Sequence, residues 1–447
     1  MAPTRSVLWF RRDLRLSDHP AINQAAGADE VVPLFVFDPR LMSAAGTPRQ
    51  AYLLRSLRSL DDALDDTLVL RNGHPVACVV DVARTAGASS VHVSADFGPY
   101  GAQRDAAVEQ ALAEHGIALV RTGSPYAVAP GRVTKPDGCP YRVYSPFYRA
   151  WTTHGWRAPA EDAQVAWVRP VDCDGYPEPP DVDVALPVAG ESAALQRWAE
   201  FRSQRLDDYR DERDRPDVDS TSRLSVHLKF GELHPRTLLA ELGDAPAHET
   251  FRKELAWREF YADVLHHQPA SAREYLRPEF ASMRYDSGPV AEERLRAWQL
   301  GRTGYPIVDA GMRQLLAEGW MHNRVRMIVA SFLVKDLHLE WQQGARWFMR
   351  RLVDGDLASN AHGWQWTAGS GTDAAPYFRV FNPLLQGAKF DPSGDYVRRY
   401  VPELRHLPGA QVHQPWSAAG GYDGGYPERV VDHATERAES LARYAAR

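Results

Sequence analysis

Cysteine is nearly missing from this chain. Cys78, Cys139 and Cys173 are odd in number and far apart, which excludes a disulfide framework and a four-cysteine iron–sulfur centre and suits a reducing cytoplasm. No metal-ligand set is inferred. Long apolar runs are also missing: residues 31–37 form the longest near the start, far short of a bilayer span, and residues 1–7 carry no apolar targeting core. A soluble, cytoplasmic, monomeric protein without membrane association is therefore expected. Positive charge is not in excess, since the formal net charge is −6 at pH 7, so composition alone does not announce a nucleic-acid binder. No G-x-G-x-x-G follows the first apolar run, and no dinucleotide is inferred there.

With 447 residues the chain is too long for one ordinary core, and two domains are expected. Residues 7–10, 31–37, 91–94 and 118–121 have strand character. Helical stretches lie between them, such as 49–64, where Leu53, Leu57, Leu60 and Leu64 keep helical spacing. The alternation predicts an α/β domain with a doubly wound parallel sheet over 1–127. Residues 128–194 turn to Pro, Gly and Asp with little periodicity, as an ordered interdomain connection would. From 195 to 447 helical patterns dominate, so the second domain is expected to be mostly α. It closes on a Gly-rich turn and a short charged helix within 420–447.

The stretch from Trp320 to Phe381 packs Arg, Asp and Asn into apolar surroundings. Met321, Val325, Ile328 and Phe332 fall on one helical face as a core stripe, with Asn323, Arg326 and Met327 on the other. Because Leu333 and Val334 continue that second face, the helix is expected to be buried nearly all round. Its Asn and Arg then need a bound group or a carboxylate, with Asp354 and Asp356 as candidates, since an unpaired buried polar group costs roughly 1–3 kcal/mol. A structural Arg–Asp pair is the plainer alternative. Six basic residues between Trp320 and Arg351 (Arg324, Arg326, Lys335, Arg346, Arg350, Arg351) stand against Asp336 and Glu340, a local net charge of +4 and a modest basic surface.

This run continues through Trp364-Gln365-Trp366 and residues 371–378. It is joined by Tyr209, by Thr221-Ser222-Arg223-Leu224-Ser225, by Glu254-Leu255-Ala256-Trp257-Arg258-Glu259-Phe260-Tyr261, and by the opening Leu8-Trp9-Phe10-Arg11-Arg12-Asp13-Leu14-Arg15. Together these blocks resemble the photolyase/cryptochrome family over nearly the whole chain, most closely its class I cyclobutane pyrimidine dimer photolyases. The resemblance implies bound FAD and damaged DNA as partners, with blue light driving an electron from reduced FAD to a flipped-out dimer and back.

Residue by residue, the resemblance places Tyr209, Thr221, Ser222, Arg223, Leu224 and Ser225 on the FAD phosphates. The 221–225 block has the features of a helix start whose hydroxyls cap free N–H groups. Arg326, Asp354, Asp356 and Asn360 are placed around the flavin ring and ribose, together with Asn323. Glu254, Trp257, Asn323, Met327 and Trp366 would line the dimer's pocket, and Arg324 would meet a flanking phosphate. Glu254, hydrogen-bonded to the dimer, would act best protonated.

An antenna chromophore is implied as well. Asp96 in Asp96-Phe97-Gly98-Pro99-Tyr100-Gly101, Lys229 and Arg49 resemble the 8-hydroxy-5-deazaflavin subgroup, with methenyltetrahydrofolate the alternative. The family's electron-transfer chain would run through Trp364 and Trp341, but Tyr285 stands where relatives commonly carry the outermost Trp. Asp286 is its neighbour in sequence, and Trp298 offers another outer step. A cryptochrome photoreceptor is the main competing function. Glu254, Trp257, Met327 and Trp366, with no long tail, speak for repair. Repair of (6-4) photoproducts expects a histidine pair where this chain has His322-Asn323.

Overall fold

The computed structural model describes residues 3–373 and 379–446. Residues 374–378 of the motif, with 1, 2 and 447, lie outside the described residues. The chain divides into two compact units, the first comprising Met1–Val182, Pro187–Asp207 and Ser222–Pro269, the second Asp183–Leu186, Asp208–Thr221 and Ala270–Arg447.

In the first unit a five-stranded, all-parallel sheet has the order β3-β2-β1-β4-β5, with β1 Arg5–Phe10, β2 Glu30–Phe37, β3 Val69–Asn72, β4 Ala88–Val93 and β5 Ala118–Arg121. β1 and β2 are buried in unbroken runs, as strands covered on both faces must be. Val7, Val32, Leu34, Val69, Val79, Val91, Val108 and Leu112 form this core. The doubly wound expectation holds. The strand missed from sequence is β3, only four residues long and too short to stand out as an apolar run. Strand order reverses between β1 and β4, so the crevice beyond their carboxyl ends is the usual ligand position in such sheets.

The connection beyond the sheet is more structured than its composition suggested. Residues Tyr144–His154 form a helix, and 166–168 pair with Val31 through Val31 N–Ala166 O at 2.9 Å and Val168 N–Val31 O at 3.0 Å.

The second unit is helical, with a core including Trp298, Met312, Val325, Ile328, Phe332, Trp341, Phe348 and Trp364. The Asn323–Ser331 helix runs into a π-helical turn, Phe332–Asp336. That turn corrects one expectation. Lys335 is buried, donating to the Arg379 carbonyl at 2.8 Å, and Asp336 is buried against His433 Nδ1 at 2.5 Å, so neither belongs to a basic surface. Burial pushes the Lys335 ammonium down to about 8 and the Asp336 carboxyl up to about 6. Among the described residues no helix is long and apolar enough to cross a membrane, and no group of three His, Cys, Asp or Glu is placed to hold a metal ion.

Candidate flavin and DNA site

The core stripe is as expected: Met321 and Val325 are fully buried, and Ile328 and Phe332 nearly so. The opposite face corrects the expectation of burial nearly all round. Asn323 is exposed, and Arg326 and Met327 are half-buried, because the helix starts at Asn323 with His322 as its cap, whose ring accepts from Arg324 N at 3.2 Å. Arg326 has found the predicted carboxylate. Its Nε donates to the Met321 carbonyl and its Nη2 to Asp354 Oδ2, both at 2.8 Å. Asp354 is 6% exposed, and its Oδ1 has no hydrogen-bond partner among the described residues.

Asp356 does a different job from its neighbour. It caps the Leu357–Ala368 helix, Oδ1 accepting from Ser359 N at 3.1 Å. On that helix Asn360 donates to the Ala345 carbonyl at 3.1 Å, Trp364 is buried and Trp366 half-buried. Gln365, which sequence reasoning passed over, is fully buried, donates to the carbonyls of Ser271 and Glu274 at 2.9 and 3.2 Å, and accepts from Leu276 N at 2.8 Å. Arg324 is clasped by Asp214 at 3.2 and 2.8 Å and lies over the Phe390 ring.

The indole N–H groups of Trp341 and Trp364 are buried without a partner among the described residues. Trp364 meets Phe348 and Trp298 edge-on at 5.0 and 6.0 Å. Trp341 meets Tyr275 edge-on at 6.2 Å, and Tyr275 lies against Tyr285 at 6.4 Å, so Tyr275, absent from the sequence reading, stands beside both. Burial and the Tyr275 phenol raise the Tyr285 phenol above its ordinary value. Asp286 is engaged by Arg443 at 2.7 Å.

Tyr209 is buried in the short Tyr209–Glu212 helix, and Thr221 is half-buried. The expected hydroxyl cap is a second correction. The helix begins later, at Ser225, is six residues long (Ser225–Phe230), and has Leu224 at its cap position with no side-chain bond. Ser222 Oγ instead accepts from Leu224 N at 3.4 Å, closing a turn in which Arg223 adopts a left-handed φ of 53°.

Glu254 and Trp257 share the Pro246–His267 helix and are half-buried. Trp257 is stacked face to face on Tyr144, ring centres 3.6 Å apart and planes 7° from parallel. Two residues on, Glu259 is buried and accepts from Trp151 Nε1 at 2.6 Å, Ala127 N at 2.5 Å and Val128 N at 3.1 Å; burial pushes its carboxyl up to about 7 against these bonds.

At the sheet, Asp96 follows β4, and burial pushes its carboxyl up. Arg12, Arg104 and Arg11, with the Gly98 N–H at 3.0 Å, outweigh that and hold it below its usual range. A Cβ on Gly101 would lie 2.1 Å from the Asp96 carboxyl carbon, so only glycine admits it there. Arg49 is buried, donating to the Ala44 carbonyl at 3.3 Å, and Lys229 is half-buried on the Ser225–Phe230 helix.

Two family models match the chain: DNA photolyase over residues 6–165, and FAD binding domain of DNA photolyase over residues 251–446. A deoxyribodipyrimidine photo-lyase of Streptomyces griseus is 40% identical, covering 97% of both chains, and that of Halobacterium salinarum is 38% identical, covering 98% of both. The chain belongs to the DNA photolyase family. The crystal structure of a class III photolyase from Agrobacterium tumefaciens superposes with a TM-score of 0.91 at 37% identity, covering 100% of this chain and 98% of that one. A Synechocystis cryptochrome superposes with a TM-score of 0.89 at 27% identity, covering 99% of each.

The family's FAD-binding domain therefore covers the Arg326–Asp354 pair, the Asp356 cap and both enclosed tryptophans. The open Asp354 oxygen is the structural observation that fits a bound group with a donor to spare, since a carboxylate oxygen left without one is costly in an interior.

Proposed function

We infer that the chain repairs cyclobutane pyrimidine dimers in DNA under blue light, as a deoxyribodipyrimidine photo-lyase. The observation that carries this reading is likeness over essentially the whole length to enzymes of that name at 35–40% identity. When bound and reduced, FAD supplies the light-excited electron that splits the dimer's ring and receives it back, without net oxidation.

The chain's own residues bind and orient. Tyr209, Thr221, Ser222, Arg223, Leu224 and Ser225 are assigned to the FAD phosphates, and Arg326, Asp354, Asp356 and Asn360, with Asn323, to its ring and ribose. Asp354, held in place by Arg326, would offer its open Oδ1 to the flavin. Glu254, Trp257, Asn323, Met327 and Trp366 are assigned to the dimer, and Arg324, released from Asp214, to a phosphate. Stacking on tryptophan contributes about 1–3 kcal/mol per base, and a dimer is already poorly stacked in the duplex. Glu254 hydrogen-bonds the dimer in its protonated form. The functional division proposed is an antenna domain at 1–127, a connection at 128–194 and an FAD- and DNA-binding domain at 195–447, in a cytoplasmic monomer.

Class I membership and a deazaflavin antenna held by Arg49, Asp96 and Lys229 are the finer parts of the proposal. The position of Asp96 after β4, at the reversal of strand order, supports a ligand there. Reconstitution with deazaflavin should add a blue absorption band and sensitise repair, and Lys229→Ala should abolish uptake. Preferential uptake of methenyltetrahydrofolate would reassign the antenna. The test of the function is irradiated oligothymidylate incubated with reduced, FAD-loaded protein under blue light. Thymine absorbance should recover; if it does not, the cryptochrome reading takes its place.

A further inference from the structure

Trp257 is the half-exposed member of an aromatic column in the first unit. Its partner Tyr144, 7% exposed, stacks on it at 3.6 Å, donates its phenol to the Lys253 carbonyl at 2.7 Å, and meets Phe260 edge-on at 5.8 Å. Behind Tyr144 the column continues through Tyr148 at 5.9 Å and Trp151 at 6.1 Å, and each ends on an acceptor, Tyr148 on Glu249 at 2.8 Å and Trp151 on Glu259 at 2.6 Å. Lys253 and Trp257 lie four residues apart on one helix, so Tyr144 is bonded to the same helix whose tryptophan it stacks on.

A planar ring has two faces, and Tyr144 covers one face of Trp257, while Phe260 meets the indole edge-on at 5.7 Å and Tyr261 lies tilted against it at 5.3 Å. A side chain free to rotate must be immobilised when a ligand stacks on it, whereas one already clamped is not. We propose that Tyr144 is a positioning residue for substrate recognition: it fixes Trp257 as a ready-made platform, so that an extruded pyrimidine dimer stacks on the remaining face at no cost in ordering the indole. Tyr144 is not a movable plug standing in for the base. Its ring is buried, its hydroxyl is bonded to backbone, and it opens the Tyr144–His154 helix, so it cannot leave without disturbing that helix. The inference rests on the reading of Trp257 as a substrate wall.

The test is the affinity of the FAD-loaded protein, in the dark, for oligothymidylate with and without a cyclobutane dimer. Trp257→Ala tests the underlying reading, which fails if discrimination between the two DNAs is unchanged. With that loss established, Tyr144→Phe should bind like the parent, because the ring stays. Tyr144→Ala and the bulkier Tyr144→Leu should each lose about three- to tenfold for damaged DNA only, the cost of ordering one side chain. Adding either to Trp257→Ala should cause no further loss. Equal losses on both DNAs, additive losses in the double variant, or tighter binding by Tyr144→Ala would each overturn the proposal. FAD content and undamaged-DNA affinity report folding, and Tyr144→Leu keeps the test decisive should Tyr144→Ala fail to fold.

Discussion

Along the Tyr144–His154 helix of the first unit, the polar ends of Tyr144, Tyr148 and Trp151 all meet acceptors, and Trp257, Tyr144, Tyr148 and Trp151 lie face towards face. In the second unit Trp341 and Trp364 meet their aromatic neighbours edge-on, their indole N–H groups have no acceptor among the described residues, and Asp354 keeps an oxygen open. A closed set of hydrogen bonds makes a scaffold, because nothing is gained by letting anything else in. An open set costs about 1–3 kcal/mol for each group left alone, a deficit the fold tolerates where a ligand can make it good.

The sharpest way to break this contrast is Asp354→Ala. It strips Arg326 of its carboxylate and removes the open oxygen, so FAD retained after gel filtration should fall at least tenfold. Stability should drop by about 3 kcal/mol, the lower end for a severed buried pair, since the Arg326 side chain is 24% exposed. Full FAD retention would show that the open oxygen does not face the flavin.

Next in size is a pH effect in the closed region. The Glu259 carboxyl lies at about 7 in the folded protein against an ordinary 4.5, because it is buried. Between those values the folded chain holds a proton that the unfolded chain has released. The stability contributed by this group is therefore complete below the lower value and declines as pH rises through the upper one, by roughly 3 kcal/mol. Glu259→Gln should flatten the dependence of denaturation midpoints on pH across that window, and an unaltered slope would mean that the Trp151, Ala127 and Val128 donors keep the carboxylate ionised throughout.

Smaller again is Gly344→Ala, whose Cβ would lie 2.1 Å from Trp364 Cη2 and should cost about 1–3 kcal/mol by overpacking. Gly363→Ala, on the neighbouring helix, meets nothing within 4 Å and serves as the control, expected to stabilise by up to about 1 kcal/mol. Equal thermal shifts would deny that Trp364 is tightly enclosed. Smallest in stability, below about 0.5 kcal/mol, is Tyr285→Phe. If Tyr285 ends an electron path through Trp364, Trp341 and Tyr275, transient absorption should lose a tyrosyl signal and charge separation should shorten. An unchanged transient would direct the outer step to Trp298, 6.0 Å from Trp364.

The features legible in sequence were local or periodic. The core stripe through Met321, Val325, Ile328 and Phe332 comes from helical spacing, and the Arg326–Asp354 pair from the cost of burying charge. The features that sequence hid depend on partners far along the chain. Tyr144 and Trp257 are separated by more than a hundred positions, and no periodicity links them. Tyr275 lies in an irregular stretch, so its place beside Trp341 leaves no pattern. The exposure of Asn323 depends on a helix boundary, and the hydroxyl cap at 221–225 failed for the same reason: the residues suited a cap, but the left-handed Arg223 delays the helix to Ser225.

The π-helical turn at Phe332–Asp336 has a bearing on how this gene can change. Such a turn holds one residue more than an α-helical turn would, as if a codon had been inserted into an otherwise regular helix. Removing a single residue there would regularise the ladder and rotate the upstream helix by about 100° against the downstream chain. Arg326, on the upstream side, would swing away from Asp354, and Lys335 and Asp336 would lose their buried partners together. Point substitutions in this segment can be absorbed one at a time, whereas an in-frame deletion of one codon would strike the Arg326–Asp354 pair and the His433 side of the helical unit in the same event.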